Sequence, residues 1–144
     1  MRFQSMFLLL FLLSNIVAIS QSADVIGKWK TIDDETGKPI SVVEIFKKNG
    51  KIYGRVSEIF DAKSRDKSCE KCPGEDKGKP FMGLTVLRDL VQNGDEYSDG
   101  HILDPKHGKL YKCYITLEDD NKLKVRGYVG VSLFGRTQYW HRVQ

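Results

Sequence analysis

Short segments rich in Val, Ile, Leu and Tyr recur along most of the chain, and turn residues separate nearly all of them. Apolar and polar residues alternate most clearly in Lys109–Leu117, and the alternation recurs in Lys122–Tyr128. A period of two is typical of strands that turn one face toward a core. After the first 22 residues, no stretch keeps a helical period over the length that a globular helix needs. The pattern therefore predicts an all-β fold.

Eight such segments predict eight strands, and tight turns predict that neighbours pair in chain order. Asn49-Gly50 and Asn93-Gly94 are strong signals for hairpins. An open antiparallel meander would leave two edges unpaired, so we expect the sheet to close into a single up-and-down barrel. The predicted strands are Val25–Ile32, Ile40–Lys48, Lys51–Phe60, Met82–Val91, Glu96–Leu103, Lys109–Leu117, Lys122–Val129 and Thr137–Val143.

The start of the chain has a different composition from the rest. Arg2 precedes an apolar stretch, Met6–Ile19, whose longest unbroken run is Met6–Leu13. A membrane span needs about 18 or more apolar residues, so this run is too short. Small residues then allow cleavage after Ser20 or after Ser22. A positive start, a short apolar core and a small-residue exit predict a secretory signal peptide.

This signal divides the chain into a cleaved segment, 1–22, and one barrel domain, 23–144. We expect the mature protein to be exported: to the periplasm of a Gram-negative source, and otherwise to the extracellular space. No second apolar stretch long enough to span a membrane follows. The net charge is +4, with basic and acidic residues interspersed, which disfavours nucleic acid as a partner. We expect a monomer or a weak dimer.

The longest interruption between strands is a charged loop, Asp61–Pro80, of a length often used for lids or binding loops. It contains Cys69 and Cys72, and an oxidising compartment favours a local disulfide between them. Zinc would need two further ligands and is the weaker alternative. Cys113 lies on the apolar face of its strand, so we expect a buried free thiol, although a bridge from the loop to Cys113 remains open.

Several short motifs occur in a fixed order along the mature chain. They are Gly27-Lys28-Trp29, Gly54-Arg55-Val56, Cys69-Glu70-Lys71-Cys72-Pro73-Gly74, Asp104-Pro105, Val125-Arg126-Gly127-Tyr128 and Gly135-Arg136-Thr137-Gln138-Tyr139-Trp140-His141-Arg142. Their order resembles the bacterial exported family called domain of unknown function 2147. That family is similar in fold to lipocalins and fatty-acid-binding proteins, which implies a small barrel with a central cavity. No catalytic activity is established for that family, so the resemblance supports the fold and the compartment far more than a function.

The first motif also resembles the Gly-x-Trp of the first lipocalin strand. In that family the Trp closes the base of the barrel and an Arg from the last strand stacks on it. The resemblance implies this structural role for Trp29, with Arg142 or Arg136 as its cation–π partner.

Five residues are candidates for the lumen wall. Arg55 and Arg126 adjoin glycines, and an inward Arg would bind a carboxylate head group through two hydrogen bonds. Tyr53, Tyr128 and Trp140 are candidate cavity aromatics. The alternatives are that the two Arg are solvated or paired on the rim, and that the aromatics are ordinary core.

No pattern for catalysis, a metal or a cofactor stands out. The three histidines have no spacing that suggests a catalytic triad or a metal site, and no glycine-rich phosphate loop is present. We therefore predict a non-catalytic exported binding protein whose lumen takes a small, partly apolar ligand, such as an acyl chain or another amphiphile. The alternative is a filled barrel that acts as a structural or interaction module of the cell envelope and binds no small ligand.

Overall fold

The computed structural model describes residues 24–144, so the predicted signal peptide and its cleavage site lie outside the described residues. Eight antiparallel strands form a closed barrel in chain order, with β8 pairing back to β1. This confirms the predicted all-β, eight-stranded up-and-down barrel. The strands are β1 Gly27–Ile32, β2 Pro39–Lys48, β3 Lys51–Ile59, β4 Thr85–Asn93, β5 Glu96–Asp104, β6 Lys109–Asp119, β7 Lys122–Tyr128 and β8 Gly135–Arg142.

The fourth strand begins at Thr85, three residues after the predicted start at Met82. The reason is a turn immediately before it. Gly83 has φ +84°, and the backbone N–H of Leu84 donates to the carbonyl of Phe81 at 3.2 Å. A positive φ favours glycine and breaks the extended backbone that a strand requires.

The two ends of the barrel differ in their connections. At one end, which we call the closed end, every strand connection is a two-residue turn, and the segment before β1 crosses the barrel there. At the other end, the open end, the connections are longer and include the charged loop between β3 and β4. The closed-end turns are 49–50, 94–95 and 120–121, and the open-end connections are 33–38, 60–84, 105–108 and 129–134.

Large inward side chains fill the closed half of the barrel. Trp29, Ile45, Leu90, Ile115 and Leu123 are all fully buried there. Burying each such side chain contributes roughly 1.5–3 kcal/mol relative to exposure. The hydrophobic effect therefore concentrates the core at this end.

Two inward glycines make room for this packing. A Cβ on Gly54 would lie 2.9 Å from a methyl of Val43 and 3.1 Å from Leu87. A Cβ on Gly100 would lie 2.8 Å from Leu90 and 2.3 Å from the carbonyl oxygen of Arg88. Leu87 and Leu90 fit inside the barrel because the neighbouring strands carry no side chain at these points.

The long loop between β3 and β4 has defined structure. It contains one short helix, α1 Ala62–Arg65, and one 3₁₀ turn, Gly74–Asp76. A salt bridge of 2.7 Å joins Asp76 to Arg88 of β4 and ties the loop to the barrel wall. Within residues 24–144, no helix is long and apolar enough to cross a bilayer.

Candidate functional site

The open half of the barrel contains a cavity of about 500 Å³. Its inner wall is apolar and buried, whereas its outer lining comes from exposed residues of the open-end connections. The apolar wall comes from several strands and includes Val43, Val56, Val86, Ile102, Leu103, Val125 and Trp140. Valine is smaller than the leucine, isoleucine and tryptophan that fill the closed half, so the four valine positions leave more space than their counterparts there.

Uncharged polar groups interrupt this apolar wall. The hydroxyls of Thr31 and Ser41 lie 2.7 Å apart and share a hydrogen bond. The indole N–H of Trp140 donates to the side-chain oxygen of Gln138 at 3.3 Å. Such groups are suited to orienting a ligand by hydrogen bonds without the cost of burying a charge.

Charged groups of both signs lie only at the mouth of the cavity. Arg136 forms an ion pair with Asp34, and His107 Nδ1 lies 2.7 Å from the carboxylate of Asp104. Lys106 is exposed beside them. A polar head group at the mouth would therefore meet both donors and acceptors.

Asp33, also at the mouth, stabilises the connection between β1 and β2. Its carboxylate accepts hydrogen bonds from the backbone N–H groups of Thr36 and Glu35 at 2.9 and 2.8 Å. These bonds, first that from Thr36, lower the pKa of Asp33 below its ordinary value. Hydrogen bonds to the charged form favour ionisation, so this carboxylate stays charged and holds the loop.

The seam between β1 and β8 is paired only near the closed end. Its two residue pairs are Trp29 with Arg142 and Lys30 with His141. Farther toward the mouth, Thr31 on β1 and Gln138 on β8 both line the cavity. Side chains of both strands therefore line the cavity where the seam has no ladder pairing.

Two of the predicted lumen residues, Tyr53 and Arg55, face outward. In β3 the buried residues Ile52, Gly54 and Val56 occupy the inward positions, and successive side chains of a strand point to opposite faces. The prediction that Tyr53 and Arg55 line the lumen is therefore wrong.

Both outward residues have partners on the barrel exterior. The Tyr53 hydroxyl donates to Asp89 at 2.7 Å, and this bond raises the pKa of Tyr53 above its ordinary value. The guanidinium of Arg55 lies 5.0 Å from the centre of the Phe46 ring and pairs with Glu44 at 3.5 Å. These contacts explain the two residues without a ligand.

Arg126 also faces outward, and the prediction that it lines the lumen is wrong. Its guanidinium donates to the carbonyls of Ser132, at 2.8 and 3.1 Å, and Leu133, at 3.2 Å. It also donates to the hydroxyl of Thr137 at 3.1 Å. Arg126 thus holds the connection between β7 and β8 against the outside of the barrel.

The remaining two candidates contribute to the cavity. Trp140 is buried in its wall. Tyr128 reaches only the rim, and its ring lies 6.3 Å from that of Tyr114 on the outer face. Sequence reasoning missed the wall hydroxyls of Thr31 and Ser41, although their position in alternating strands was a usable signal.

Arg142 and Trp29 close the opposite end. Trp29 is fully buried, and its indole N–H donates to the carbonyl of Val25 at 2.8 Å. The guanidinium of Arg142 lies 4.3 Å from the ring centre of Trp29 and donates to the carbonyls of Asp24 and Ile26 at 2.6 and 3.1 Å. The first described residues are thus fixed across this end.

Arg136, the other predicted partner of Trp29, does not stack there. It lies on β8 at the mouth, where it pairs with Asp34. The two arginines of β8 are six positions apart in one strand, so they reach opposite ends of the barrel.

The predicted disulfide between Cys69 and Cys72 is present and buried. The Sγ of Cys69 lies 3.3 Å from the carbonyl oxygen of Pro105, in the connection between β5 and β6. A Cβ at Gly108 would lie 1.9 Å from the carbonyl oxygen of Lys71, which shows how closely the two backbones approach. The loop 61–80 contributes no residue to the cavity lining and instead supports one side of its rim.

Cys113 is a free thiol, buried on the inward face of β6. Burial raises its pKa to about 12, so the thiol is neutral at ordinary pH. Among residues 24–144, no three His, Cys, Asp or Glu side chains are grouped as a metal site would require.

Comparison with known proteins identifies a family and a fold. A family model described as "Uncharacterized protein conserved in bacteria (DUF2147)" matches residues 27–142. The solved structure of protein HP1028 from Helicobacter pylori, described as belonging to the lipocalin family, is similar with a TM-score of 0.75. The sequences are 23% identical, and the match covers 85% of each chain, so the similarity shows the fold alone. Comparison with curated proteins found no match.

Proposed function

Because the chain belongs to the bacterial family DUF2147 and folds as a lipocalin-like barrel, we propose that it is an exported, non-catalytic binding protein. Its ligand is a small, partly apolar molecule such as an acyl chain or another amphiphile. The observation that carries the proposal is the cavity of about 500 Å³, with an apolar inner wall and charges only at its mouth.

The size and lining of the cavity fit such a ligand. Small-molecule sites in proteins usually enclose about 300–1,000 Å³ and combine an apolar wall with a few polar groups. Contact with the valines and Trp140 would contribute about 25 cal/mol per Å² of apolar surface, before the cost of ordering the ligand. Thr31, Ser41 and Gln138 would orient a polar group of the ligand within the wall.

The polarity gradient also suggests an orientation. Apolar groups line the interior, and Arg136, Lys106 and His107 lie at the mouth beside acidic partners. An amphiphile would therefore place its apolar part inside and its polar head at the mouth. The mixed charge of the rim favours a head group that both donates and accepts hydrogen bonds.

Two observations support the remaining parts of the proposal. The buried disulfide Cys69–Cys72 fits an oxidising compartment outside the cytoplasm, periplasmic or extracellular according to the source. The only free thiol among the described residues, Cys113, is buried and neutral, which is unfavourable for a nucleophile.

A fluorescent fatty acid titrated into the mature protein tests the proposal, together with variants that fill the cavity. Val125→Phe places a larger side chain on the inner wall, and Ser41→Phe does so nearer the mouth, where the wall is half-buried. We expect each to weaken binding on the order of tenfold or more by occupying ligand volume. Val91→Phe, on the outer surface of β4, is the matched control and should bind as the parent does.

Native mass spectrometry of gently purified protein complements the titration. A bound molecule that Val125→Phe displaces would support the proposal. Protein that carries no bound molecule and does not bind the fatty acid would instead favour the filled-barrel module without a small ligand.

A further inference from the structure

The connection between β7 and β8, residues 129–134, exposes an unusual amount of apolar surface. The exposed fractions of Val129, Val131, Leu133 and Phe134 are 65%, 58%, 78% and 67%. Single exposed apolar residues are common, but four in one six-residue connection form a contiguous patch that calls for an explanation.

Hydrogen bonds hold the loop that carries this patch in a defined conformation. Three hydrogen bonds from Arg126 fix the carbonyls of Ser132 and Leu133. Backbone bonds also close the loop on itself: Val129 N–H donates to Phe134 at 3.0 Å, and Phe134 N–H donates to Val131 at 3.1 Å. The chain thus orders a loop whose large apolar side chains face water.

Cationic and aromatic residues adjoin this loop on the outer face of β6 and β7. The ammonium of Lys112 lies 3.5 Å from the carbonyl oxygen of Gly130, and the ammonium of Lys124 lies 5.7 Å from the centre of the Tyr114 ring. In the part of the chain from 24 to 144, neither lysine forms an ion pair with a carboxylate. Tyr128 completes the face beside Tyr114.

Cations outnumber acidic residues on this face. The acidic residues of β6, Glu118 and Asp119, are at the closed end of the strand. On the neighbouring β5, Asp99 is exposed at the bulge opposite Tyr114. Across the seam, Asp34 pairs with Arg136.

Asp33 and Glu35 line the cavity mouth. With Lys112, Lys124 and Arg126 set against Asp99, the outer face still carries net positive charge next to the apolar loop.

We propose that the loop 129–134 docks on the surface of an anionic lipid bilayer. The side chains of Val131 and Leu133 enter the head-group region, and Lys112 and Lys124 contact lipid phosphates. Apolar insertion combined with basic residues is the physical basis of interfacial membrane binding, and tyrosine favours the same depth.

The size of the patch favours a bilayer over a protein partner. A stable protein interface buries on the order of 1,000 Å² or more in total, which a single six-residue loop does not supply. A bilayer, by contrast, accepts a small apolar protrusion. The location also fits, because Val129 and Phe134 belong both to the exposed loop and to the cavity mouth. Passage of a ligand between the bilayer and the cavity through this mouth rests on the proposed function, whereas docking itself does not.

Vesicle co-sedimentation tests the proposal with the mature chain. We expect binding to vesicles of phosphatidylcholine mixed with phosphatidylglycerol, and weaker binding to phosphatidylcholine alone. Val131→Asp combined with Leu133→Asp should reduce binding by about tenfold or more, because both side chains are exposed and lose their insertion. Val91→Asp, an exposed apolar residue near the closed end of β4, is the control and should bind as the parent does.

Two matched double variants test how much charge contributes to vesicle binding. Lys112→Glu with Lys124→Glu should weaken binding to the anionic vesicles by about tenfold or more. Lys47→Glu with Lys51→Glu makes the same charge change at the closed end and should have a much smaller effect.

Three results would overturn the proposal: no binding to either vesicle, binding that Val131→Asp/Leu133→Asp leaves intact, or loop-dependent dimers in sedimentation equilibrium. The same double variant should still bind the fluorescent fatty acid, since neither side chain lines the cavity. Loss of vesicle binding with fatty-acid binding retained therefore tests docking separately from the ligand-binding function.

Discussion

The closed and open ends of the barrel are built by the same eight strands but differ in the size of their inward side chains. In the closed half, residues such as Trp29, Leu90 and Leu123 fill the lumen. In the open half, the lining includes four buried valines and smaller polar residues such as Thr31 and Ser41, and a cavity of about 500 Å³ remains. The comparison indicates that the volume of the inward side chains, rather than the strand pairing, decides which half is core and which half can hold a ligand.

The connections differ in the same way. Two-residue turns and the arginine-tied N-terminal segment seal the closed end, whereas longer connections surround the open end. Loops carry function more often than the elements they join, because they tolerate exposed polar and apolar groups. Four predictions test this division, from the largest expected effect to the smallest.

Removing the Trp at the closed end should have the largest effect. Trp29→Ala deletes a fully buried ring, its hydrogen bond to Val25 and its contact with Arg142, and should cost about 3–5 kcal/mol of unfolding free energy. Trp140→Ala should cost less, because one side of that ring borders the cavity. Urea denaturation measures both. An equal loss for the two variants would contradict the division into a filled and an open half.

The two arginines of β8 provide a second test. Arg142→Gln removes the stack on Trp29 and the bonds to the carbonyls of Asp24 and Ile26, which should cost about 2 kcal/mol. Arg136→Gln breaks a largely exposed ion pair with Asp34 and should cost under about 1 kcal/mol. Thermal melts would show the difference, and a greater loss for Arg136→Gln would reverse the assignment of the sealing arginine.

The disulfide should matter for the open end alone. Cys69→Ser with Cys72→Ser opens a very short covalent loop, so we expect a melting shift of only a few degrees. Loss of the support under Pro105 should make loop 61–80 more sensitive to protease. Thiol counting provides the direct check: one free thiol, Cys113, should react only after unfolding. A crosslinked peptide containing Cys113, or zinc held by reduced thiols, would refute the assignment.

Acid should loosen the open end first. Hydrogen bonds lower the pKa values of Asp33, Asp61 and Asp76, chiefly from the Thr36 backbone, the Ser64 hydroxyl and the Arg88 guanidinium, respectively. A lowered folded-state pKa contributes stability above the ordinary value of 3.8, and that stability is lost as pH falls through the lowered value.

Hydrogen exchange measured at stepwise lower pH should therefore show opening of 33–38 and 61–80 before any change at the closed-end turns. Asp76→Asn should remove part of the pH dependence in loop 61–80 and leave that of 33–38 unchanged. Simultaneous opening of both ends would contradict the prediction.

Sequence patterns predicted the strands well because alternation and turn residues are local signals. The predicted strand bounds differ from the observed ones by at most three residues. The largest difference is at the start of β4, where a turn precedes the strand. The alternation in Lys122–Tyr128 places Arg126 on the face of β7 that is opposite to the face of Leu123 and Val125. Its outward position could therefore have been inferred from the sequence. In the same way, Ile52 and Val56 mark the apolar face of β3, which leaves Tyr53 and Arg55 on the outer face.

Other features depend on long-range packing and could not be predicted. The cavity exists because inward residues from distant strands together leave volume unfilled, which no single segment encodes. Bulges at Asp89 and Asp99, where φ is +57° and +61°, shift the register in ways that composition does not reveal. The buried disulfide contacts Pro105, 36 positions along the chain.

The two tryptophans, of which only Trp140 lines the cavity, allow the most direct test of the central claim. Trp29→Phe leaves only Trp140 in the cavity wall, and Trp140→Phe leaves only Trp29 at the closed end. A brominated fatty acid quenches tryptophan fluorescence on contact and can be titrated into each variant. The account predicts saturable quenching of Trp140 and little quenching of Trp29. Quenching of Trp29 alone, equal quenching of both, or no quenching of either would contradict a ligand site in the open half.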